Sequence, residues 1–257
     1  MKIVVCMKQT FDTEARIALK EEGRIDDSSV PLIANPYDEY AVEEAIRIKE
    51  KQGGEVTVVT VGGDKARKAL QQCLAMGADH AVLVDDAQLN DADGHTVALV
   101  LSRVIREMEY DLILCGRESV DEAASQVHTR LAEILDLPQV NVVSALKVED
   151  GKAEAKRDIE GGSELVEVDL PSVISVQKGI NEVRYPSLRL VMKASRRPIK
   201  TLSIEDLGLS EADIKPFLHV EAYIFPEPRQ AGRRLEGEVP GMVSDLIQYL
   251  RDEVKAI

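Results

Sequence analysis

Short apolar runs alternate with amphipathic helical stretches through the first half of the chain, and this rhythm constrains the fold more than any other feature. Lys2 to Met7 is a continuous apolar run of the kind buried on both faces of a sheet. Asn35-Pro36 then opens a helix, with Asn35 as its cap, Ala41, Val42, Ala45 and Ile46 as its apolar stripe and Gly53-Gly54 as its end. The pattern repeats: strand Val56 to Val61, a helix capped by Asp64 and stopped by Gly77, strand Ala81 to Val84, and a helix from about Asp93 to Met108. Strand Leu112 to Cys115 and a helix from about Asp121 to Leu135 complete the series before Pro138. Strands separated by helices of this length predict an α/β fold, a Rossmann-like parallel sheet with helices on both faces. Ligands of such sheets sit at the carboxyl ends of the strands, beside helix N-termini.

After Pro138 strands follow one another directly. Ser144 to Val148 and Ala153 to Ile159 flank Asp150-Gly151, a two-residue hairpin signal, and Glu164 to Val168 and Ser172 to Gln177 come next. These predict an antiparallel extension of the same sheet. The tail carries a Pro- and Arg-rich arm, Phe225 to Arg234, and an amphipathic helix from Pro240. A helix on such a tether is expected to pack on a partner or on another part of the subunit.

Charge narrows the partners. A net charge of −14 argues against nucleic acid, because neutralising phosphates needs a broad basic face. No apolar run approaches the roughly 20 residues that cross a bilayer, and the charged N-terminus does not read as a signal sequence, so direct membrane insertion is not expected and a cytoplasmic or organelle-matrix location is. Three scattered cysteines and four scattered histidines offer no metal framework. One stretch breaks the acidic trend: Gln177 to Lys200 holds seven Lys or Arg and a single acid around the apolar Leu188, Leu190, Val191 and Met192. Composition leaves two readings of it, a surface that grips another protein or a buried helix whose basic stems snorkel to solvent.

No GxGxxG, GxxxxGK[ST], GxSxG or HExxH signature is present. Three strand-to-helix turns could meet a nucleotide through backbone N–H groups: Lys8, Asn35 to Asp38, and Gly116 to Thr129. Each has a plain structural alternative, with Asp121 as a helix cap and Gln126 as a solvated helix residue.

The run LPSVISVQKGINEVRYPSLRLVMKASRRPI, residues 170–199, resembles the signature of the β subunit of electron-transfer flavoproteins. So do VCMKQ, NPYDEYAVEEAIRIKE, LAMGAD, DLILCGRESVD, DIEGGSE and PEPRQAGRRLEG, which recur in order over nearly the whole chain. The resemblance implies a heterodimer in which an α subunit holds the electron-transferring FAD. The β chain is then a scaffold for AMP, or for a second FAD in electron-bifurcating members. Nucleotide contacts would come from Lys8, Asn35, Asp38, Val61, Gly116, Asp121, Ser125, Gln126, Val127, His128 and Thr129.

The same resemblance makes residues about 183–198 a recognition loop for acyl-CoA dehydrogenase-type flavoenzymes, with Leu188 as anchor among Tyr185, Met192, Arg196 and Arg197. It implies a flavin-domain contact at Glu164 and onward transfer to a quinone-linked oxidoreductase. Residues 1–200 would form the nucleotide-binding-like domain and 201–257 an arm and helix wrapping on the α subunit. The family reads approximately DDDSNQTGQ or DGDTAQVGP, for AMP or FAD, where this chain has DEAASQVHT. His128 replaces a glycine that lets backbone approach phosphate, and could block a pyrophosphate or itself donate to a phosphate. That departure favours AMP, or an empty site, over FAD, and makes the chain an electron-carrier subunit with no catalytic residue of its own.

Overall fold

The computed structural model describes residues 1–257 except 27, 29, 230 and 233, so Asp27 and, in the PEPRQAGRRLEG motif, Gln230 and Arg233 lie outside the described residues. It divides into two compact units, Met1–Tyr223 and Ile224–Ile257.

In the first unit β1 (Lys2–Cys6) leads into a small antiparallel ribbon, β2 (Gln9–Phe11) with β3 (Leu32–Ala34). Next come α1 (Pro36–Gln52), β4 (Glu55–Val61), α2 (Arg67–Met76), β5 (His80–Val84), α3 (Gly94–Arg106), β6 (Leu112–Gly116) and α4 (Val127–Leu135). The second half supplies β7 (Gln139–Glu149), β8 (Lys152–Ile159), β9 (Gly162–Asp169), β10 (Ser172–Val176), α5 (Leu188–Ala194) and β11 (Lys200–Leu202).

Nine strands make one sheet in the order β11-β5-β4-β1-β6-β10-β7-β8-β9, antiparallel at β7-β8-β9 and parallel elsewhere. The α/β class, the parallel sheet and an antiparallel extension are as the sequence rhythm predicts, except that Ser172–Val176, expected in the extension, inserts as β10 between β6 and β7 and runs parallel to both. Asp150 and Gly151 both have positive φ, 51° and 78°, as a tight two-residue hairpin requires. The unbroken apolar character of β1 reflects burial on both faces. Ile3, Val5 and Met7 join the core under α1 and α2, whereas Val4 and Cys6 join the one under α3 and α4. Strand order reverses beside β1, so the carboxyl ends of β1 and β6 flank the crevice where such sheets take ligands.

Two predicted helix starts move. Asp64 opens a single 3-10 turn, Asp64–Ala66, and its carboxylate meets Arg67 Nε at 2.6 Å instead of capping α2. The fourth helix begins at Val127, because Asp121 is drawn to Lys8, so Asp121 does not cap it. Asp93 does cap α3, accepting from Thr96 N at 2.9 Å.

In the second unit, the described residues of 224–238 lack regular structure and precede α6 (Val239–Tyr249) and a π-helical turn, Leu250–Val254. Among the described residues no helix is long and apolar enough to cross a membrane.

Candidate functional site

The carboxyl ends of β1, β4 and β6 gather most of the residues singled out from the sequence. Asp38, in the first turn of α1, joins two of the strands: its Oδ2 accepts from Lys8 N at 2.8 Å and its Oδ1 from Gly116 N at 2.9 Å. Burial pushes its pKa up to about 7 against the pull of those N–H donors. The approach is so close that a Cβ on Gly116 would lie 2.3 Å from Asp38 Oδ1 and 2.7 Å from the Tyr37 carbonyl carbon. Asn35 occupies the cap position of α1, but its side chain turns across the crevice. Nδ2 donates to Glu118 O at 2.8 Å and Oδ1 accepts from Val120 N at 3.1 Å, fixing the loop after β6.

That loop bends through two non-glycine residues in the left-handed region, Ala123 (φ 50°) and Ser125 (φ 52°). Ser125 Oγ donates to Arg117 O at 2.8 Å. Asp121 and Glu122 approach Lys8 Nζ at 3.0 and 3.2 Å, so this lysine at the mouth of the crevice is matched by two carboxylates. Gln126 precedes α4 without capping it, its Oε1 accepting from Arg130 instead at 3.0 Å. The first N–H groups of α4 therefore carry no side-chain cap.

Val127 is half-buried against the core, and Thr129 is exposed, with its hydroxyl accepting from Asn141 Nδ2 at 3.3 Å. Val61 ends β4, half-buried. His128 is buried, one turn before Leu131 and Ala132 on the same face of α4, and burial lowers its pKa to about 4. The imidazole is thus a neutral core group at ordinary pH.

These donors suit an anionic ligand. An uncapped helix N-terminus, the Lys8 ammonium and the Thr129 hydroxyl suit phosphate chemistry, provided that a phosphate displaces Asp121 and Glu122 from Lys8, while the Ser125 hydroxyl is already committed to Arg117 O.

The basic stretch lies apart from this crevice. Residues 188–194 do form a helix, but of the apolar residues only Ala194 is buried, which overturns the buried-helix reading. Tyr185 is 95% and Leu188 76% exposed, and Leu190, Val191, Met192 and Arg196 are exposed with them. Arg197 instead turns inward, donating Nη1 to Ala78 O at 2.8 Å and Nη2 to Asp79 O. Glu164 is exposed on β9, 3.6 Å from Arg157 Nε, at the free edge of the antiparallel extension.

Sequence reasoning missed the acids that hold the basic stretch. Glu43, almost wholly buried on α1, lies 2.8 Å from Arg184 Nε and 2.6 Å from Arg47 Nε. Burial alone would raise its pKa, but the bonds from the two guanidinium groups hold it below the ordinary value. The available signal was a charged residue, Glu43, between Val42 and Ala45 on the helix's apolar side.

Comparison with known proteins agrees with this geometry. Residues 23–207 match the model of the electron transfer flavoprotein domain. The chain is 43% identical to the electron transfer flavoprotein subunit beta of Bacillus subtilis over 258 residues, 100% of each chain. It is 42% identical to the subunit beta of Syntrophomonas wolfei, over 99% of this chain and 98% of that one. It is also 39% identical to the caffeyl-CoA reductase-Etf complex subunit CarD of Acetobacterium woodii, over 82% of this chain and 81% of that one. A Rossmann-like sheet with its ligand crevice at the β1–β6 switch point, and matches that run the length of the sequence, place this chain in the electron transfer flavoprotein family, among its beta subunits.

Proposed function

We propose that this chain pairs with an electron transfer flavoprotein α subunit, holds AMP in the β1–β6 crevice, and presents α5 to acyl-CoA dehydrogenase-type flavoenzymes. The electrons then pass to a quinone-linked oxidoreductase. The FAD, held mainly by the α subunit, supplies the acceptance and release of electrons. This chain's own residues bind and orient. Lys8 and the uncapped start of α4 face the nucleotide's phosphate, Asn35 and Asp38 fix the loop and strand ends around it, and Glu164 marks the edge offered to the flavin domain. Three buried, free thiols fit a reducing compartment such as the cytoplasm.

The observation that carries the docking role is Leu188, three-quarters exposed within a ring of cations. An apolar side chain so placed is the kind of anchor that dominates a transient interface. Leu188→Ala in the αβ complex is expected to raise KM for a reduced acyl-CoA dehydrogenase about thirtyfold, the equivalent of about 2 kcal/mol, with the flavin retained. Unaltered transfer kinetics would sink the docking role.

The likeness to CarD raises a second reading, a bifurcating subunit with its own FAD in place of AMP. His128 stands where the family pattern has glycine, but its side chain is buried on the core face of α4, so it neither blocks a pyrophosphate nor donates to a phosphate as the sequence suggested, and the departure from glycine does not by itself choose between AMP and FAD. Releasing the nucleotides from the purified heterodimer by denaturation decides the matter. One FAD with one AMP is the expected count, two FAD would establish the bifurcating form, and one FAD alone would leave this chain a scaffold with an empty crevice.

A further inference from the structure

A seven-residue helix does not hold together by itself in water, because too few hydrogen bonds follow its nucleation. α5 is that short and, although it lies against α2, buries only Ala194, so packing gives it a narrow hold that other bonds must supplement. Two arginines stand at its two ends. Upstream, Arg184 grips α1: its fork reaches Glu43 Oε2 at 2.8 Å through Nε, and the two oxygens of Glu50 at 2.6 and 2.9 Å through Nη1 and Nη2. Its backbone N also donates to Glu43 Oε2 at 3.2 Å. Arg47 shares Glu43 and donates to Glu182 O at 2.8 Å, and Asn181 Nδ2 donates to Tyr40 O at 3.0 Å. Downstream, Arg197 holds the carbonyls of Ala78 and Asp79 in the turn between α2 and β5. Between these two pins the chain from Tyr185 to Lys193 is exposed at nearly every position.

We propose that Arg184 and Arg197 are positioning residues that keep α5 folded and aimed before any partner arrives, so that Leu188 and Met192 meet a dehydrogenase already ordered. The proposal rests on the docking role given above. The chemistry of the pins suits rigidity more than affinity. A planar guanidinium holds Glu43 and Glu50 with a rigid fork of fixed donors, a geometry that a lysine's single rotatable ammonium does not reproduce, and neither pin is turned outward to touch a partner. Without them several rotamer-rich side chains would have to be ordered during binding, and that cost would appear as weaker association with no change in the electron-transfer step.

The test uses the αβ complex carrying Arg184→Ala, Arg184→Lys or Arg197→Ala, with two readouts. Tryptic cleavage after Arg189, Lys193 and Arg196, followed by mass spectrometry, reports the order of α5. KM and the saturated rate with an acyl-CoA dehydrogenase reduced by its own acyl-CoA report docking. Both alanine variants should be cut about tenfold faster and show KM raised about tenfold, with saturated rate and flavin content unchanged, and Arg184→Lys should fall between them and the parent. Arg197→Ala leaves no carboxylate unpaired and decides the question if Arg184→Ala fails to accumulate. Cleavage and KM at parental values overturn the proposal, as does faster cleavage with KM unmoved while Leu188→Ala raises it. If Leu188→Ala leaves KM unmoved as well, the docking role falls, and the positioning role falls with it.

Discussion

Gly116→Ala will lower the stability of the protein by about 3 kcal/mol, the upper end of what one inserted methyl group costs a packed interior. The added Cβ would sit 2.3 Å from Asp38 Oδ1 and 2.7 Å from backbone of Tyr37, and backbone cannot swing aside as a long side chain can. Relief requires the start of α1 to retreat from β6, which stretches the two bonds that Asp38 accepts, from Lys8 N and Gly116 N. Urea titration of the variant beside Gly63→Ala gives the measurement. Gly63 has nothing within 4 Å of its would-be Cβ and no positive φ, so its substitution should stay within about 0.5 kcal/mol of the parent. Equal midpoints for the two variants would show that α1 does not bear on β6 as described.

Acid will weaken the protein through His128. Its folded-state pKa is depressed to about 4 from an ordinary 6.5, so between those values the unfolded chain binds the proton and the folded one does not. The stability it contributes is complete above 6.5 and is lost as pH falls toward about 4, at roughly 1.4 kcal/mol per unit, for a total of about 3 kcal/mol. Asp38 acts with the opposite sign. Its folded pKa lies near 7 against an ordinary 3.8, so its contribution is complete below 3.8 and is lost as pH rises toward 7. The two slopes oppose each other in the parent. Denaturant titrations of His128→Leu and Asp38→Asn at several pH values should separate them, the first variant losing stability as pH rises across this window relative to the parent and the second gaining it. Parallel profiles for all three would refute both assignments.

Period and punctuation made the parallel sheet legible. Buried strands such as Val56 to Val61 and stripes such as Ala41, Val42, Ala45 and Ile46 state their environment in composition alone. Asp150-Gly151 likewise states its turn. The misses share a cause, which is that a polar side chain has more than one partner to choose from. Asp121 reads as a helix cap until Lys8, distant in sequence, is brought beside it, and Asn35 keeps the cap position while spending its amide on Glu118 and Val120. Glu43 reads as one more surface acid until Arg184 arrives, 141 residues along the chain. The ribbon of β2 and β3 escaped because three-residue strands carry no periodicity to detect. The crevice residues Lys8, Asn35, Asp38, Gly116 and Asp121 were found in the sequence, but which of them hold one another, leaving few free for a ligand, is a matter of distance.

The order in which the sheet is filled has a consequence for synthesis. β10 lies between β6 and β7, yet it follows both in the chain, after β8 and β9. On the ribosome, residues up to about 171 can therefore present two unsatisfied strand edges facing a gap that only Ser172–Val176 fits. Closing that gap is a long-range, parallel event, the slow kind in folding, and until it happens the apolar edge of β6 is open to the wrong neighbour. A nascent chain of this design has reason to meet a chaperone between the emergence of β7 and that of β10, and mutations that weaken Val173 or Ile174 should raise aggregation during expression more than their effect on the finished fold would suggest.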